Sequence, residues 1–505
     1  YQAKRQITAS SFAGEINVLA LQLHRLASRH RLHRDNTLRS LRDAIEAVLG
    51  CFPVYRTYVV EGGLAAQDSE HIQHAVTEAR RRDPNVTSEA LALLEEVLLL
   101  RSDDLEPDEM EQRIHFRSRF QQLSGPVMAK GVEDTTLYRY NRLVSLNEVG
   151  SDPSRFGASP REVHSWLEER ARSWPRAMSA SSTHDTKRGE DVRARLHVLS
   201  EIAETWSQEV RTWTRLNRSH RATLQGEPAP DPNTEYLIYQ TLVGSLPPDG
   251  IDCEPDYRDR LHRYLEKALR EAKVYTNWTN PNERYEAVCH EFLDQILDTS
   301  RGSGFADRLE EFVESILPGA ALNALSALTL KALAPGFPDI YQGTELPVWS
   351  LADPDNRRPV DYNLRRDMFG SLGDCPLDLL SPQLKLWLTR RLLHIRAAYH
   401  ALLSEGSYQP LETTGKRAEN VFAFARSAPS GVLVVAIPRL MARETPPTGE
   451  PPLGAVWADT AFALPEGVRS WRNELTGEQV EAEGKEECAV LFGPLPLAVL
   501  SATTA

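Results

Sequence analysis

The chain has 505 residues, of which 41% are hydrophobic and 26% charged, and its formal net charge is −13 at pH 7. These values are ordinary for a globular protein, so they exclude a mostly disordered, collagen-like or coiled-coil chain. The length predicts roughly two to four domains. The negative charge disfavours nucleic acid or an anionic membrane as a partner, and no apolar stretch is long enough to predict a transmembrane helix.

The first hundred residues are predicted to be mostly helical. Apolar side chains recur at steps of three and four over residues 16–26 and 38–49, with Gly50 as a stop, and again over residues 88–101. Residues 52–60, between the second and third of these helices, are rich in β-branched and aromatic side chains. That composition predicts an extended segment.

The middle of the chain is predicted to alternate short strands with helices. Residues 124–131 read as a buried strand that runs into a loop, and a helical region begins over residues 138–146. The other predicted elements, in chain order, are a helix at 161–173, a short strand at 177–182, helices over 190–315 interrupted by a proline-rich loop at 226–232, and a helix at 320–333. This alternation predicts an α/β fold whose (β/α) units surround a parallel barrel.

A helix is predicted over residues 382–401, and beyond about residue 405 the hydrophobic period changes to two. Strands are expected at residues 421–425, 432–437, 471–475 and 489–492, which together predict a small all-β domain. The predicted segments are a helical insertion region at 1–113, a barrel segment with two site loops at 114–205, a second helical insertion at 206–315, the last barrel strand and helix at 316–404, and the β domain at 405–505.

Five cysteines stand at positions 51, 253, 289, 375 and 488, and none forms a CxxC pair. Their odd number and scatter predict neither a zinc site nor a disulfide framework, and they favour a reducing cytoplasm. The chain contains no GxxxxGK[ST], GxGxxG, GxSxG or HExxH motif. No cofactor and no metal ion are therefore expected.

The sharpest local signal is the pair His184 and Asp185, which follows a predicted strand. An imidazole can donate a hydrogen bond to a sugar hydroxyl while the neighbouring carboxylate accepts one, and a carboxylate also stabilises an oxocarbenium-like transition state. The alternative is a plain His-Asp pair in a surface loop, which is the commoner meaning of the dipeptide alone.

Two other polar loops follow predicted strands. Lys130 and Glu133 are three residues apart, so they either contact a bound polyol or form a weak pair on one face of a helix. Asp353 and Asp355 resemble the start of a calcium loop. The arginine at the sixth position and the leucine at the twelfth exclude an EF-hand, and the neighbouring arginines are expected to pair with these acids and brace the site.

Several long motifs resemble one family, maltooligosyltrehalose synthase of the α-amylase superfamily. They are EINVLA at 15–20, FPVYRTY at 52–58, FQQLSGPVMAKGVEDT at 120–135, THDTKRGEDVR at 183–193, PDIYQGTE at 338–345 and DPDNRRPVDY at 353–362. The resemblance implies a (β/α)8 barrel, present here in part, with large helical insertions and a C-terminal β domain. It also implies a maltooligosaccharide substrate.

The resemblance implies conversion of the reducing-end α-1,4 bond of a maltooligosaccharide into an α,α-1,1 bond, through a covalent glycosyl-enzyme. Asp185 would be the carboxylate that stabilises the transition state, and His184 would hold hydroxyls of the same sugar. Lys130 and Glu133 would line the pocket of the reducing-end glucose. Further substrate-binding candidates are Arg188, Gln342 and Asp355.

The sequence departs from the superfamily at its other two carboxyls, because no counterpart of the nucleophile Asp or the acid/base Glu is found. With Tyr1 at the start, the expectation is that an N-terminal half-barrel is absent from this chain and that the chain alone lacks mutase activity. The alternatives are an α-glucan hydrolase or 4-α-glucanotransferase of the same superfamily, or a non-catalytic glucan-binding fragment.

Overall fold

The computed structural model describes residues 1–60, 63–101, 105–299 and 304–503. They form two compact units. The first unit comprises Tyr1–Tyr140 with Ala268–Pro281, and the second comprises Asn141–Lys267 with Asn282–Ala505. The segment boundaries expected from the sequence remain a prediction.

The first unit is helical. Its helices are α1 (Gln2–Ala9), α2 (Ala13–Arg29), α3 (Leu38–Cys51), α4 (Ala66–Arg82), α5 (Ser88–Leu99), α6 (Pro107–Met128) and the short α7 (Leu137–Arg139), with a π-helical segment at Ala129–Thr136. The predictions of α2, α3 and α5 are confirmed, and their apolar stripes share one buried core. Helix α4 was not predicted because its buried stripe is narrow, with only Ile72, Ala75, Val76 and Ala79 inside.

The strand predicted at residues 124–131 is wrong, because α6 continues to Met128 and a π-helix follows it. Small residues here serve close packing between helices. A Cβ added to Gly131 would lie 2.6 Å from Lys4 Cγ on α1. The helical region expected over residues 138–146 is confirmed in part, by α7 and by a 3-10 turn at Val144–Leu146, while residues 140–143 between them are not helical. Gln240 holds the backbone of this stretch, accepting from Val144 N at 2.9 Å and donating to Asn141 O at 2.7 Å.

Helices dominate the second unit before residue 406. They are α8 (Pro160–Ser173), α9 (Glu190–Glu201), α10 (Ala203–Leu216), α11 (Pro232–Ser245), α12 (Tyr257–Ala272, which runs into the first unit), α13 (Glu283–Ile296), α14 (Phe305–Leu333), α15 (Tyr362–Gly370), α16 (Pro382–Ala398) and α17 (His400–Glu405). The loop expected at 226–232 is wrong in part. Strand β3 (Glu227–Ala229) pairs with β2 (Ala222–Leu224) there, since a two-stranded edge tolerates proline.

Helix α14 contains an 18-residue window apolar enough to cross a membrane, but 67% of that window is buried inside the structure. Burial of this kind is typical of a core helix, and the apolar residues of α14 contact both the other helices and the C-terminal sheet.

Strand β1 (Met178–Ser179) pairs in parallel with β4 (Phe337–Pro338). This two-stranded sheet contains the strand predicted at 177–182, although it is shorter than expected. Among the described residues, all other strand pairings are antiparallel. The partial barrel therefore remains a prediction, while the helical and C-terminal β parts of the predicted fold are confirmed.

The C-terminal β region contains β5 (Ser407–Pro410), β6 (Thr413–Thr414), β7 (Val421–Ala428), β8 (Gly431–Pro438), β9 (Ala461–Ala463), β10 (Ser470–Asn473), β11 (Gln479–Glu481), β12 (Lys485–Glu487) and β13 (Ala498–Ala502). One sheet has the order β11-β10-β13-β8-β7-β5 and the other β12-β9-β6. Alternate residues of β7 and β8 enter two different cores, so both faces of the larger sheet are covered. The strand expected at 489–492 is wrong: a buried helical turn, α18 (Cys488–Leu491), packs there beside Trp457.

Candidate functional site

The candidate site lies in the second unit, where β1 and β4 run parallel. Phe337 N donates to Ala177 O at 2.9 Å and Asp339 N donates to Ser179 O at 2.8 Å, so both strands point the same way. Parallel strands end at the same edge of a sheet. The polar loops that follow them, residues 183–188 and residues 339–345, therefore start side by side.

The tip of the first loop presents an acid and an imidazole to solvent. The side chains of His184 and Asp185 are 70% and 58% exposed, and His184 Nε2 lies 3.2 Å from Asp185 Oδ2. Arg357 Nη2 donates to Asp185 Oδ1 at 3.1 Å, and Arg357 Nε donates to His184 O at 3.1 Å. The Asp185 carboxylate is thus held by a guanidinium while it stays accessible to a ligand.

A network of hydrogen bonds fixes the shape of this loop. Thr186 Oγ1 donates to Thr183 O at 2.8 Å, and Asp185 N donates to Thr183 Oγ1 at 3.2 Å. The amide of Asn356 joins the two loops, because its Nδ2 lies 3.3 Å from both Thr183 O and Thr186 O. The loop of Asp185 and the 3-10 turn Asp353–Arg357 therefore form one structural piece.

Glu148 supports the other side of the loop, a role that sequence patterns do not predict. Its carboxylate accepts from Lys187 N at 2.8 Å and pairs with Arg193 Nη1 at 2.9 Å. The sequence feature that marks Glu148 is a lone acidic residue in a turn upstream of a strand. Such residues are too common to identify this one as functional.

Two of the predicted substrate contacts, Arg188 and Asp355, are turned into the structure. Arg188 is 2% exposed, and its guanidinium donates to Tyr264 OH at 2.6 Å and to Val144 O at 3.3 Å. The Asp355 side chain is 8% exposed and pairs with Arg260 Nε at 2.7 Å. These side chains brace the loops from below. Two further pairs, Arg357 with Asp353 at 3.5 Å and Arg358 with Asp355 at 3.3 Å, confirm that the arginines and acids of this segment pair.

Two adjacent acids at the start of α9 form a buried ionic cluster beneath the loop. Lys385 Nζ lies 2.8 Å from both Glu190 and Asp191, and Lys331 Nζ lies 3.3 Å from Glu190. Burial raises the pKa of Asp191. Burial acts the same way on Glu190, but Lys385 and Lys331 outweigh it and hold the pKa of that carboxyl at about 2. The cluster was missed in the sequence because Lys385 lies far along the chain.

Gln342, the remaining candidate of the second unit, is exposed in the turn that follows β4. Nearby Glu345 pairs with Arg365 Nε at 2.6 Å. An exposed amide beside the strand end can both donate and accept hydrogen bonds, so Gln342 is free to contact a ligand at this edge.

Lys130 and Glu133 lie in the π-helical segment of the first unit. The weak pair between them, one of the two alternatives, is not formed. Lys130 Nζ donates to Asp134 Oδ2 at 2.6 Å instead, and Glu133 accepts a hydrogen bond from Tyr55 OH. The π-helix places side chains four and five residues apart on one face, which explains why Asp134 is the partner. The Lys130 side chain is 56% exposed.

Metal ligation has no support within the described part of the chain, where no group of three His, Cys, Asp or Glu side chains could hold an ion. All five cysteines are free thiols. The side chains exposed at the tip of the loop are a carboxylate, an imidazole and an arginine, which together suit the hydroxyls of a sugar. These features define a candidate carbohydrate site.

Comparison with known proteins points to one family. Two curated proteins of Mycobacterium tuberculosis, strains CDC 1551 / Oshkosh and ATCC 25618 / H37Rv, are each 40% identical to this chain over 382 residues and are named putative maltooligosyl trehalose synthase. The match covers 76% of this chain and 45% of each relative. No family model matches the chain.

Solved structures agree with these relatives. Maltooligosyltrehalose synthase from Arthrobacter ramosus is 31% identical with a TM-score of 0.79, over 100% of this chain and 58% of that one. A hypothetical maltooligosyl trehalose synthase from Sulfolobus tokodaii is 25% identical with a TM-score of 0.69, over 99% of this chain and 57% of that one. The resemblance inferred from the motifs is confirmed, and the chain spans about half the length of the relatives it matches.

Proposed function

We propose that this chain acts in trehalose biosynthesis as part of a (1→4)-α-D-glucan 1-α-D-glucosylmutase, an isomerase that turns the reducing-end α-1,4 bond of a maltooligosaccharide into an α,α-1,1 bond. The observation that carries the proposal is the exposed Asp185 carboxylate at the end of a parallel strand, held by Arg357. The similarity to maltooligosyltrehalose synthases supports it.

In this proposal β1 and β4 are neighbouring strands of a partial (β/α)8 barrel, and the second unit supplies one of three carboxyls. Asp185 stabilises the positive charge that develops on the sugar ring, since a fixed negative charge next to an oxocarbenium-like centre lowers the barrier. His184 holds hydroxyls of the same sugar, and Gln342 contacts the ligand from the adjoining loop.

Arg188 and Asp355 take a different role from the one their motifs imply. Their buried hydrogen bonds support positioning of the loops rather than contact with substrate. The proposal also assigns the binding of the reducing-end glucose to Lys130 and Glu133, which lie in the first unit.

The reaction needs a nucleophilic carboxylate and a general acid/base besides Asp185. The chain spans about half the length of the relatives it matches, and the proposal assigns both of these groups to polypeptide sequence outside residues 1–505. Five free thiols support a reducing cytoplasm as the place of action.

The test is incubation of the 505-residue chain with maltopentaose, alone and together with a separately produced N-terminal portion of the M. tuberculosis relative. We expect a non-reducing, α,α-1,1-linked product only from the mixture, with its formation abolished by Asp185→Asn. Product from the chain alone would contradict the assignment of the other carboxyls. Reducing sugars without the α,α-1,1 product would indicate the hydrolase or glucanotransferase, and binding without turnover would indicate a glucan-binding fragment.

A further inference from the structure

A second cleft of about 600 Å³ lies on the outer face of α16, beside the turn between β10 and β11. It shares no lining residue with the loops of Asp185. We propose that this cleft, here called the α16 cleft, binds a neutral α-glucan chain. The choice of an α-glucan as the ligand rests on the proposed function, because the substrate proposed there, a maltooligosaccharide, is itself a short α-glucan.

The helical period of α16 creates the cleft wall. Leu384, Leu388 and Leu392 are buried on one side of the helix. Trp387 and His394 each lie three and four residues from the adjacent pair Arg390 and Arg391, so these four side chains share the other side of the helix, where they line the cleft. One helix face thus packs into the protein, while the opposite face carries an aromatic ring and three nitrogen-rich side chains.

Trp387 supplies an apolar surface for a sugar ring. It is half-buried, since part of it packs against the core between α16 and the β sheet, and the rest faces the cleft. A tryptophan held in this way has few conformations to lose when a ligand stacks on it. The C–H face of a glucose ring is apolar, so it matches such a surface.

Arg390 and Arg391 supply hydrogen-bond donors. Within the described part of the chain neither forms an ion pair with a carboxylate, in contrast to Arg260, Arg357 and Arg365. Arg391 Nε donates to Glu474 O at 2.5 Å, and the Arg390 guanidinium lies 5.1 Å above the Phe369 ring. Both guanidinium groups are therefore held in place, with further N–H donors directed to ligands or solvent.

The balance of charge favours a neutral ligand over an anion. Asp374 and Glu478 also line the cleft and offset the two arginines, so the lining is neutral when His394 is neutral. Carboxylates accept hydrogen bonds from hydroxyls, while guanidinium groups donate them, and a polyol satisfies both kinds of group. The cleft volume also falls in the range of small-ligand sites, roughly 300–1,000 Å³.

The experiment measures glucan affinity of the 505-residue chain by calorimetry with maltoheptaose and by native electrophoresis through soluble starch. The variants are Trp387→Ala, Trp387→Phe, and the double change Arg390→Gln with Arg391→Gln. Trp174→Ala is the matched control, because Trp174 is 68% exposed on the same unit and lies outside the cleft. Every measurement is repeated in an Asp185→Asn background, which removes the carboxylate of the candidate site.

We expect about tenfold weaker maltoheptaose binding for Trp387→Ala and for the double arginine variant, with Trp387→Phe intermediate and Trp174→Ala unchanged. The same losses are expected in the Asp185→Asn background, so the result stands whether or not the mutase proposal does. Thermal melts identify any variant that fails to fold, and the surviving variants then decide. Unchanged binding in Trp387→Phe and in the double variant would overturn the proposal. So would tight binding of inorganic phosphate that depends on the two arginines, since that would mark an anion site.

Discussion

The two segments that carry the candidate residues are held in place by different means. The π-helical segment Ala129–Thr136 of the first unit is fixed by close packing of backbone against backbone. The loop of residues 183–188 in the second unit is fixed by paired charges and hydrogen bonds. Two polar motifs that look alike in the sequence are thus stabilised differently, one by steric packing and the other by electrostatic pairing. Added side-chain volume should disturb the first, and removal of a charge should disturb the second.

In the first unit, the contact centres on Gly131 and α1. A side chain at Gly131 has no room, since its Cβ would lie 2.9 Å from Lys4 Cα. Lys4 is buried there, and its ammonium donates to Phe52 O at 2.8 Å. Burial lowers the pKa of Lys4 to about 8. A single positive charge therefore sits in this packed interface without an ion-pair partner among the described residues.

In the second unit, the charges beneath the loop come in pairs. Lys385 faces Glu190 and Asp191, and Arg260 faces Asp355. Burial works against the charge on Lys385, but the two acids outweigh it and raise the pKa of Lys385. Charges of opposite sign compensate each other here, so the structure depends on both partners being present.

The largest expected effect comes from removing one partner of the buried cluster. Lys385→Met leaves Asp191 buried without its counter-ion, and we expect a loss of about 3–5 kcal/mol in the free energy of unfolding. Urea denaturation measures it, with Lys416→Met as the control because Lys416 is exposed. Equal stabilities for these two variants would show that the cluster contributes nothing to the fold of the second unit.

The next largest effect is a pH dependence of stability, which should differ between the unpaired Lys4 of the first unit and the paired Lys385 of the second. The folded-state pKa of Lys4, about 8, lies below its ordinary value of 10.5. The cost of burying the charge is thus complete below pH 8 and disappears as pH rises from 8 to 10.5. The first unit should gain about 3 kcal/mol over that interval, whereas the contribution of Lys385, whose pKa is raised, is lost only above pH 10.5.

Hydrogen exchange of the α1 amides reports this gain, and Lys4→Met supplies the control because it removes the titrating group. The difference between the native protein and Lys4→Met should vary with pH between 8 and 10.5 and stay constant below 8. A difference that is independent of pH would contradict the assignment of Lys4 as a buried, unpaired ammonium.

A smaller effect tests the packing itself. Gly131→Ala should cost about 1–3 kcal/mol, because the added methyl group overlaps the backbone of Lys4. Gly125→Ala is matched to it: that glycine is also helical, but the nearest atom to its Cβ is Tyr55 O at 3.8 Å. Alanine should therefore be tolerated or slightly stabilising there. Exchange protection of α1 separates the two variants, and equal protection would contradict the proposed contact.

Sequence patterns predicted the elements whose hydrophobic period is regular. Helices α2, α3 and α5 carry wide apolar stripes, and β7 and β8 are apolar on both faces because two cores cover them. The position of Asp185 after a short strand was predicted as well. In each case the pattern that predicts the element lies within roughly ten consecutive residues.

The rest depends on contacts that no local pattern contains. The strand predicted at residues 124–131 is instead the end of α6 and the start of the π-helix, because Gly131 and its small neighbours fit both structures and the packing against α1 decides between them. Arg188 and Asp355 have the composition of ligand contacts, yet Tyr264 and Arg260 turn them inward. Side-chain direction at such positions is set by distant partners.

The smallest expected effect on stability is at the tip of the loop. Asp185 is paired with Arg357 in solvent, and surface pairs of this kind contribute about 0–1 kcal/mol. Asp185→Asn should therefore change the free energy of unfolding by about 0.5 kcal/mol or less. In the reconstituted mixture, however, it should lower the rate of α,α-1,1 product formation by about a hundredfold or more, since the charge facing the transition state is gone. Because the amide can still accept a hydrogen bond from Arg357, a large loss of stability would place Asp185 among the structural charges beneath the loop and remove it from the proposed chemistry.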